Sequence, residues 1–584
     1  MPTSLIDADS LLVIDVGSVN TRVLLFDVVD SRYRFLAAGV APTTAAAPYH
    51  DISEGVRQAI DHLQNLTGRA LVGSDEHLIK PATGFGSGVD TFAATISVGP
   101  PLKILAVGLL EDVSLESVRR LATTIYGNLV ETISLNDRRR SEARIDVILR
   151  LRPDLIIVAG GTDGGASQSV LKLLEPIRLA CSMLPASKRP EMLYVGNQAL
   201  QEQVQTLLDG AANLQFASNV RPVLEIEQLD AAQIQVADIY THIRAQQLPG
   251  VKELSDWGNG NLMPTASAFG RLIRFLSKAY ASNKGVLGLD IGASATTLAA
   301  AFNGDLLLGV YPELGLASGL SGLLERLRLD EVTRWLPLEI EDETVRDYLF
   351  NRALSPASLP VTAEELAIEQ ALTRQLMQLA VRQAAGGFLA RAVQPEAGLL
   401  PWFEPIIATG SVLTKAPNLA QTLMMLLDGL QPTGTTTLVL DQNHLSAALG
   451  AAAAINPILV AQVLDSNSYL YLGTVISPIG NARPGTPVLR LKITYENNHE
   501  ANLDIKQGAL ELLPLPSGQT ARLHLQPLHR YDVGMGGPGR GGRLNIHGGV
   551  FGVIIDARGR PLQLPDEAGR RREQLKKWLW TLGG

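Results

Sequence analysis

Cysteine is nearly absent from this chain of 584 residues, which carries the single thiol of Cys181. One cysteine can form neither an intramolecular disulfide nor a cysteine-built metal site, and this usage fits a cytosolic setting. An excess of basic residues is also lacking, because 50 lysines and arginines face 58 aspartates and glutamates, for a formal net charge of −8. This balance gives no electrostatic reason to bind nucleic acid or an anionic lipid surface.

Long apolar runs are lacking as well. The nearest approach to a membrane span, residues 445–464, is rich in alanine and is interrupted by Asn456-Pro457. Because proline ends or kinks a helix, this stretch predicts a buried helix and a turn rather than a membrane-spanning segment. The first residues, which include Asp7 and Asp9, do not form a basic region followed by an apolar one. We therefore expect no secretory signal and a cytoplasmic location.

A short acidic turn motif occurs twice. One copy reads Asp15-Val-Gly-Ser-Val-Asn-Thr21 and the other Asp290-Ile-Gly-Ala-Ser-Ala-Thr296, so that Asp, Gly and Thr recur at the same offsets. Each copy follows an apolar strand and leads into a second apolar stretch, which ends at Asp30-Ser31 or Asn303-Gly304. Turn dipeptides between apolar runs predict β-hairpins. Two such units, starting 275 residues apart at positions 15 and 290, predict two related lobes that face each other across a cleft.

The residues of these turns suit a nucleotide phosphate. Gly17 and Gly292 let backbone N–H groups approach phosphate oxygens, and glycine tolerates the φ values that such loops need. Asp15 and Asp290 would repel a polyphosphate directly, so they make sense as ligands of Mg²⁺ through the water molecules that this ion retains. The alternative is that each Asp-x-Gly is only a polar strand end entering a tight turn, but two matching copies favour phosphate binding. The uncharged donors of the two motifs are Ser18, Asn20, Thr21, Ser294, Thr296 and Thr297.

The chain is long for one hydrophobic core, and changes in composition and apolar pattern along it predict four segments. Residues 1–102 and 219–464 form the lobes that carry the first and the second turn. Between them, residues 103–218 alternate apolar strands with amphipathic helices, which predicts an inserted doubly wound α/β module with a glycine-rich loop at Gly160–Gly165. Short β-like runs with frequent glycine and proline predict a separate β-rich domain over residues 465–584, which ends in a charged helix.

Two further polar residues allow alternative interpretations. Asp163 lies between two glycine pairs before a predicted helix, where it either caps the helix or belongs to an anion-binding helix terminus. The cap is favoured, since a carboxylate would oppose an anion. Arg221 precedes Pro222 and either contacts a ligand or forms a surface ion pair, and the ion pair is favoured. The inserted module has no Asp-x-His-x-x-Gly motif that would indicate a cobalamin binder.

Three strings carry a resemblance to a known family. They are Pro153-Asp-Leu-Ile-Ile-Val-Ala-Gly-Gly-Thr-Asp-Gly-Gly165, Tyr194-Val-Gly-Asn197 and Asn219-Val-Arg-Pro-Val223. With the two acidic turns, they make the chain similar to the MutL-type accessory proteins encoded with coenzyme-B12-dependent glutamate mutase, over roughly residues 11–455. That family belongs to the actin, sugar-kinase and heat-shock ATPase superfamily. The resemblance therefore implies an α/β, two-lobed actin-like ATPase (ribonuclease H-like) fold, to which the doubly wound module and the C-terminal β domain are additions.

The resemblance also implies roles for individual residues. Asp15 and Asp290 would hold metal-bound waters and act as the catalytic pair. In the superfamily the second lobe supplies a glycine loop beside adenosine, and Gly410 and Ser411 lie where that loop should follow. The family's second turn usually ends in an aspartate, where this chain has Thr297. Because one carboxylate near the metal and its water is missing, efficient hydrolysis is not expected.

These observations lead to three hypotheses about function. The first is an ATP- and Mg²⁺-binding protein, a slow ATPase that acts as a chaperone-like accessory or reactivating factor for a B12-dependent mutase such as glutamate mutase, with closure of the lobes around ATP. The second is a nucleotide-binding scaffold with little hydrolysis, organised through its C-terminal β domain. A small-molecule kinase is the least favoured, because no clear catalytic base accompanies either turn.

Overall fold

The computed structural model describes residues 9–584 except 84–85, 259, 280–283, 326, 390, 393–394 and 397. Contacts within the chain divide it into two compact units. The first unit comprises the residues up to Leu25 together with Ala37–Ala268, and the second comprises Phe26–Leu36 and Phe269–Gly584. The boundaries of the four predicted segments remain predictions, since the two units follow a coarser division.

The first ten strands belong to the first unit, apart from the tip of one hairpin. In chain order they are β1 (Leu11–Val16), β2 (Asn20–Val29), β3 (Arg32–Pro42), β4 (Thr91–Ile96), β5 (Leu102–Gly108), β6 (Gly127–Ser134), β7 (Leu155–Ala159), β8 (Glu191–Tyr194), β9 (Asn213–Phe216) and β10 (Leu262–Pro264). The helices of this part are α1 (Ser53–Thr67), α2 (Glu116–Ala122), α3 (Ser141–Leu151), α4 (Gln168–Ser182), α5 (Gln201–Leu208), α6 (Asp230–Gln247), α7 (Val251–Trp257) and α8 (Thr265–Ala279), the last of which continues into the second unit.

Strands β10, β4, β1, β2 and β3 form one sheet in that order. Strand β1 pairs in parallel with β4, and β4 with β10. The β2–β3 hairpin turns at Asp30 and Ser31, whose φ values of 51° and 62° are both positive. Two consecutive positive φ values are typical of the tight turns that match the twist of paired strands. The hairpin predicted at this dipeptide is confirmed.

The inserted module is a second, all-parallel sheet with the strand order β6-β5-β7-β8-β9. Every residue of β7 is buried, as expected for a strand covered by helices on both faces. The core of the module combines these strands with apolar residues of α4 and α5, such as Leu174 and Val204. The chain leaves the first sheet after β4 and returns to it at β10, which confirms a doubly wound insertion within the first half of the fold.

The later strands and helices belong to the second unit. Its strands are β11 (Gly285–Ile291), β12 (Thr296–Phe302), β13 (Asp305–Tyr311), β14 (Phe403–Thr409), β15 (Gly434–Leu440), β16 (Leu470–Ser477), β17 (Pro487–Tyr495), β18 (Glu500–Lys506), β19 (Leu510–Leu513), β20 (Thr520–Pro527), β21 (Gly542–His547) and β22 (Val553–Asp556). Its helices are α9 (Leu320–Leu324), α10 (Leu329–Thr333), α11 (Asp342–Leu354), α12 (Ala363–Leu389), α13 (Ser411–Thr414), α14 (Leu419–Gly429), α15 (Leu445–Ala452), α16 (Pro457–Leu464) and α17 (Ala568–Thr581).

The main sheet of the second unit repeats the sheet of the first. Its strand order begins β13-β12-β11-β14-β15. These five strands occupy the positions that β3, β2, β1, β4 and β10 occupy in the first sheet. The β12–β13 hairpin turns at Asn303 and Gly304, again with two positive φ values, and is confirmed. In the parallel pairing of β11 with β14, Asp290 lies opposite Thr409, just as Asp15 lies opposite Thr95. The two acidic turns therefore belong to duplicated ribonuclease H-like sheets.

The segment 465–584, expected as a separate β domain, is only partly separate. Strands β17, β18, β20 and β21 form their own antiparallel sheet in the order β18-β17-β20-β21. Strands β16, β22 and β19 instead continue the main sheet beyond β15. The physical reason is that β15 would otherwise be an exposed edge, and the antiparallel pairing with β16 along the whole of β15 satisfies its backbone groups.

A buried ionic cluster joins the C-terminal segment to the rest of the second unit. The Arg558 guanidinium donates to Asp428 and to Asp556, each over 2.8 Å, and Arg560 donates to Asp556 over 2.7 Å. Arg374 donates to the other oxygen of Asp428 over 2.9 Å. Burial alone would raise the pKa of Asp556, but Arg558 and Arg560 outweigh it and hold this pKa well below its usual range.

The alanine-rich stretch 445–464 forms two helices, α15 and α16, with a break between them. Asn456 caps α16, since its side-chain oxygen accepts from the Leu459 N–H over 3.0 Å, and Pro457 occupies the first turn. This is the break that the Asn-Pro pair predicted. In the part of the chain that the structure describes, no helix combines the length and apolarity needed to cross a membrane.

Candidate functional site

The first acidic turn joins β1 to β2 and is closed by its glycine. The Gly17 N–H donates to the Asn20 carbonyl over 3.0 Å. A Cβ atom on Gly17 would lie 2.8 Å from that carbonyl oxygen, which is too close for any side chain. The φ angle of Gly17 is not positive. The turn therefore needs glycine for close approach of the backbone, and the expected need for an unusual φ is wrong here.

The second acidic turn joins β11 to β12 and is closed in the same way. The Gly292 N–H donates to the Ala295 carbonyl over 3.0 Å, and a Cβ atom on Gly292 would lie 2.9 Å from the same oxygen. Both glycine N–H groups are thus used within their own turns. A phosphate at either turn would therefore need other backbone donors, and the nearest are on Ser18 and Val19 in one turn and on Ala293 and Ser294 in the other.

Asp15 is held by groups that are distant in sequence. Its Oδ1 atom accepts from the Thr95 hydroxyl over 2.7 Å and from the Thr265 hydroxyl over 3.1 Å. The Arg22 guanidinium lies 3.8 Å from Oδ2. Asp15 keeps only 7% of its surface exposed, so this carboxylate has a fixed orientation at the end of β1. Sequence reasoning missed all three partners; Arg22, seven residues after Asp15, was the one with a local signal.

Asp290 lies at the corresponding end of β11 and is half-buried. Thr297 lies directly opposite it in the antiparallel pairing with β12. This is the position at which the family was expected to carry an aspartate, and the matching position of the first turn is Arg22. The second unit therefore has an uncharged residue beside Asp290 where the first has a cation beside Asp15.

Gly410 adjoins the second turn. It directly follows Thr409, the residue opposite Asp290, and has a φ of 111°. A side chain at this position would overlap the Ile291 carbonyl, so only glycine allows the two segments to pack together. Within the second unit, the structure thus brings Asp290, the turn at Gly292 and the predicted adenosine loop together at one edge of the sheet.

The two threonines that lie six residues after Asp15 and Asp290 point inward. Thr21 and Thr296 are completely buried. The Thr21 hydroxyl is 2.9 Å from the hydroxyl of Thr43, which itself donates to the Gly17 carbonyl over 2.8 Å. The Thr296 hydroxyl donates to the Leu314 carbonyl over 2.6 Å. These bonds favour a role in fixing the shape of each turn over direct contact with a phosphate.

The remaining predicted contact residues differ in exposure. Ser18 and Asn20 are half-buried and Ser411 is exposed, whereas Ser294 and Thr297 keep less than a tenth of their surface exposed. Ser18, Asn20 and Ser411 therefore have side chains that solvent can reach. Ser294 and Thr297 would act at a phosphate mainly through the backbone or after a small rearrangement.

Asp441 and His444 complete the surroundings of the Gly410 loop, and sequence reasoning missed both. The Asp441 carboxylate accepts from the N–H groups of Leu445 and Ser446 and so caps α15. The His444 ring lies 3.2 Å from the Thr409 hydroxyl on one side and 3.3 Å from that of Thr414 on the other. The loop between β14 and α13 is therefore fixed from the neighbouring β15–α15 connection.

The carboxylate of each turn is an oxygen donor of the kind that Mg²⁺ accepts. Each turn provides one carboxylate, Asp15 or Asp290. Among the described residues, no three His, Cys, Asp or Glu side chains are grouped closely enough to form a metal site by themselves. Mg²⁺ is commonly held by one or two carboxylates, with phosphate oxygens and waters completing its shell, so a protein-only cage is not needed.

The three family strings of the inserted module meet at the carboxyl ends of β7, β8 and β9. The Asp163 carboxylate accepts from the Gln198 N–H over 3.1 Å and from the Asn219 side-chain amide over 2.9 Å. The Asn197 side chain in turn accepts from the Gly164 N–H over 3.1 Å. Asp163 does not cap α4, so the favoured interpretation of this residue is wrong; it links the three loops instead.

Arg221 takes part in an ion pair, as expected, but the pair is mostly buried. Its guanidinium lies 3.2 Å from Glu227, and its Nε atom donates to the Ser117 hydroxyl over 2.8 Å. Burial would raise the pKa of Glu227, but the Ser117 hydroxyl and the nearby Arg120 and Arg221 lower it. Arg221 therefore fixes the loop after β9 against α2.

A duplicated ribonuclease H-like sheet, with an Asp-x-Gly turn in the first hairpin of each copy and a glycine loop after the fourth strand of the second, defines the actin-like ATPase class. A family model described as MutL protein matches residues 11–468. The chain belongs to this MutL family. The matched residues contain both turns, the inserted module and the Gly410 loop, and they end just before β16.

Individual relatives share only a small part of their sequence with this chain. Protein MutL of Clostridium tetanomorphum is 23% identical over 301 residues, which are 51% of this chain and 59% of that protein, so the match spans about three fifths of the relative's length. Among solved structures, the nucleotide-free diol dehydratase-reactivating factor is similar at 11% identity and a TM-score of 0.30, covering 76% of this chain and 99% of the other. Glycerol dehydratase reactivase gives the same four values. A polyphosphate/ATP-glucomannokinase from Arthrobacter sp. strain KM is similar at 12% identity and a TM-score of 0.26, over 76% and 98% of the two chains.

Proposed function

We propose that this chain binds ATP with Mg²⁺ and serves as a chaperone-like accessory or reactivating factor for a B12-dependent mutase such as glutamate mutase. The observation that supports nucleotide binding is the pair of acidic turns. In each turn the glycine N–H donates to the carbonyl three residues later, and in each sheet the aspartate lies opposite a threonine of the parallel neighbouring strand. Membership of the MutL family supports the accessory role. The partner and the nucleotide are both part of the proposal.

Different residues of the turns would bind the metal, the phosphates and adenosine. Asp15 and Asp290 would hold the magnesium ion through its waters, and the ion would neutralise phosphate charge. Backbone N–H groups after Gly17 and Gly292 would contact phosphate oxygens, because uncharged donors stabilise an anion without needing a counterion. Gly410 and Ser411 would lie beside adenosine, and the absence of a side chain at Gly410 lets this loop pack against the Ile291 backbone at the second turn. The solvent-accessible side chains of Ser18 and Asn20 would add donors to the first turn.

Hydrolysis would be slow. Thr297 occupies the position opposite Asp290 and supplies a hydroxyl that cannot act as a carboxylate base at neutral pH. Arg22 occupies the matching position of the first turn, 3.8 Å from the Asp15 carboxylate, and a guanidinium cannot accept a proton from water. Neither turn therefore provides a second acidic group to orient an attacking water molecule.

Thermal unfolding of the full chain with and without ATP and Mg²⁺ tests the nucleotide. We expect ATP with Mg²⁺ to raise the unfolding temperature, because a ligand that binds only the folded state stabilises it. Asp15→Asn and Asp290→Asn should each lose this increase. Asp146→Asn and Asp347→Asn, at exposed positions of α3 and α11, should keep it and serve as matched controls.

Recovery of mutase activity tests the accessory role. A B12-dependent mutase inactivated by turnover should regain activity when this chain, ATP, Mg²⁺ and fresh cofactor are added, and the recovery should fail with Asp290→Asn. If the mutase is captured by the chain but is not reactivated, and no phosphate is released above background, the scaffold hypothesis is the better description. The replacement of the expected aspartate by Thr297 is the observation that favours this second hypothesis.

A further inference from the structure

The second unit contains a cavity of about 640 Å³ that is separate from the residues of the acidic turns. Six parts of the chain meet at it: the end of α10, α12, residues 398–400, the turn after α14, the segment 561–566 and the first turn of α17. Three arginines line it, Arg334, Arg382 and Arg571. The segment 561–566 lies beyond the region that the family model matches, so this cavity depends on the C-terminal part of the chain.

The three arginines are not neutralised by the protein. Arg334 donates to the amide oxygens of two glutamines, over 3.2 and 2.8 Å, and Arg571 donates to two backbone carbonyls, over 3.0 and 2.9 Å. Within the described residues, none of the three guanidiniums has a carboxylate within 4.0 Å. The pKa of Arg334 is lowered, first by its burial and also by the charges of Arg382 and Arg571, and the opposing charges of Glu331 and Asp330 do not offset this.

Two buried donors of the cavity wall also lack acceptors. Trp335 is 2% exposed, and its indole N–H has no hydrogen-bond partner among the described residues; the Arg334 Nε–H is in the same condition. An unsatisfied buried donor costs about 1–3 kcal/mol, so such groups are rare unless a ligand or water completes them. The Arg334 guanidinium also stacks at 5.2 Å from the centre of the Trp335 ring, which fixes the direction of both groups.

The wall also contains both apolar and polar uncharged side chains. The apolar ones are Val381, Leu399, Leu400, Leu430, Leu562 and Leu564, and the uncharged polar ones are Gln378, Gln431 and Gln563. Asp566 is the acidic side chain of the lining, and it is exposed to solvent. A cluster of guanidiniums without carboxylate partners, beside leucines and uncharged amides, is a combination that recognises an oxyanion attached to an organic body.

We propose that this cavity is a second binding site, for a small organic anion that carries a phosphate or carboxylate group. The oxyanion would be held by Arg334, Arg382 and Arg571, and its organic part would contact the leucines. Because the ligand would touch both α12 and the segment before α17, its binding would stabilise the attachment of the C-terminal segment to the rest of the second unit. This role does not depend on nucleotide binding at the acidic turns.

Calorimetric titration of the full chain at constant ionic strength tests the proposal. The probes are inorganic phosphate, phenyl phosphate, benzoate and neutral benzyl alcohol. We use the Asp290→Asn variant as the background, so that the proposed nucleotide site is disabled in every arm. Binding of phenyl phosphate or of benzoate supports the site and tells which oxyanion it prefers, and the organic anion should bind more tightly than inorganic phosphate.

Arg382→Gln and Arg571→Gln should each weaken that binding about tenfold, as expected for loss of one charge-assisted contact. Arg346→Gln, at an exposed position of α11 outside the cavity, should leave it unchanged. The melting temperatures of the variants without ligand confirm that they are folded. The proposal is overturned if no anionic probe binds at millimolar concentration, if benzyl alcohol binds as well as the anions, or if the cavity variants and Arg346→Gln have the same effect.

Discussion

The Thr95 hydroxyl donates to the Asp15 carboxylate over 2.7 Å, and Thr95 is also the residue that lies opposite Asp15 in the parallel pairing of β1 with β4. Thr409 has the same register relationship with Asp290, but its hydroxyl is directed to the Asp441 carbonyl and the His444 ring. The two sheets therefore share this strand register, but the hydroxyls of the two corresponding threonines have different partners.

Replacing Thr95 with valine should loosen Asp15. Valine keeps the shape of the side chain but removes the shorter of the two hydroxyl donors to a buried carboxylate. We expect the free energy of unfolding to fall by about 1–3 kcal/mol, the range for a lost hydrogen bond to a charged group. Urea denaturation measures this change. Thr206→Val provides the comparison, because the exposed Thr206 hydroxyl donates to the Glu202 backbone carbonyl within α5. An equal loss in the two variants would show that the bond to the Asp15 carboxylate is not the cause.

Alanine at Gly17 or Gly292 should destabilise the protein. The added methyl group would lie 2.8 or 2.9 Å from the carbonyl oxygen that closes the turn, so the turn must open. We expect a loss of about 1–3 kcal/mol for each, as for other substitutions that force the backbone to shift. Gly386→Ala is the control, because Gly386 is in α12 with no heavy atom within 4 Å of the added carbon. It should be neutral or stabilising by about 1 kcal/mol, and a similar loss at all three positions would show that close approach is not the cause.

Removing Arg558 should have a larger effect than removing an exposed arginine. Arg558 is completely buried between Asp428 and Asp556, and its guanidinium lies 4.5 Å from the centre of the Trp578 ring. Arg558→Met would leave buried carboxylates without their main partner, for a loss of about 3–5 kcal/mol. Arg490 pairs with Asp504 at the surface, where both side chains are about 60% exposed, and Arg490→Met should change stability by less than about 1 kcal/mol. Urea denaturation of both variants decides whether burial sets the difference.

Acid should weaken the second unit through Asp556. The pKa of this carboxyl is lower in the folded protein than in the unfolded chain, where it is about 3.9. Its contribution to stability is therefore complete above that value and is lost as the pH falls toward the lower, folded pKa. We expect the free energy of unfolding to decrease steadily below about pH 4. Asp556→Asn should show a shallower decrease over the same range, and an unchanged slope would assign the acid sensitivity to other carboxyls.

Local features of the sequence predicted the parts of the fold that are determined locally. The dipeptides Asp30-Ser31 and Asn303-Gly304 adopt positive φ values easily, so the two hairpins were predictable from neighbouring residues alone. The doubly wound module was predictable for the same reason, since its strands alternate with amphipathic helices. The duplication itself followed from the repeated Asp, Gly and Thr offsets.

Features that depend on distant pairing were not predictable in this way. Strand β16 reads like any other short β run after residue 465, and only its pairing with β15 makes it part of the main sheet. Thr265 is 250 residues from Asp15, and Arg558 is 130 residues from Asp428, so no local pattern connects these partners. The inward direction of Thr21 and Thr296 was missed because a hydroxyl suits a phosphate and a backbone carbonyl equally well.

The most direct test of the proposed function is a calorimetric titration of the full chain with ATP in the presence of Mg²⁺. We expect saturable binding with one ATP per chain, and we expect it to weaken at least tenfold in Asp15→Asn and again in Asp290→Asn, while Asp146→Asn and Asp347→Asn bind as the unmodified chain does. Removal of Mg²⁺ should weaken binding to the unmodified chain more than to either turn variant. Absence of ATP binding by the unmodified chain, or equal affinity in both turn variants and the controls, would contradict the central claim that the paired acidic turns hold a nucleotide.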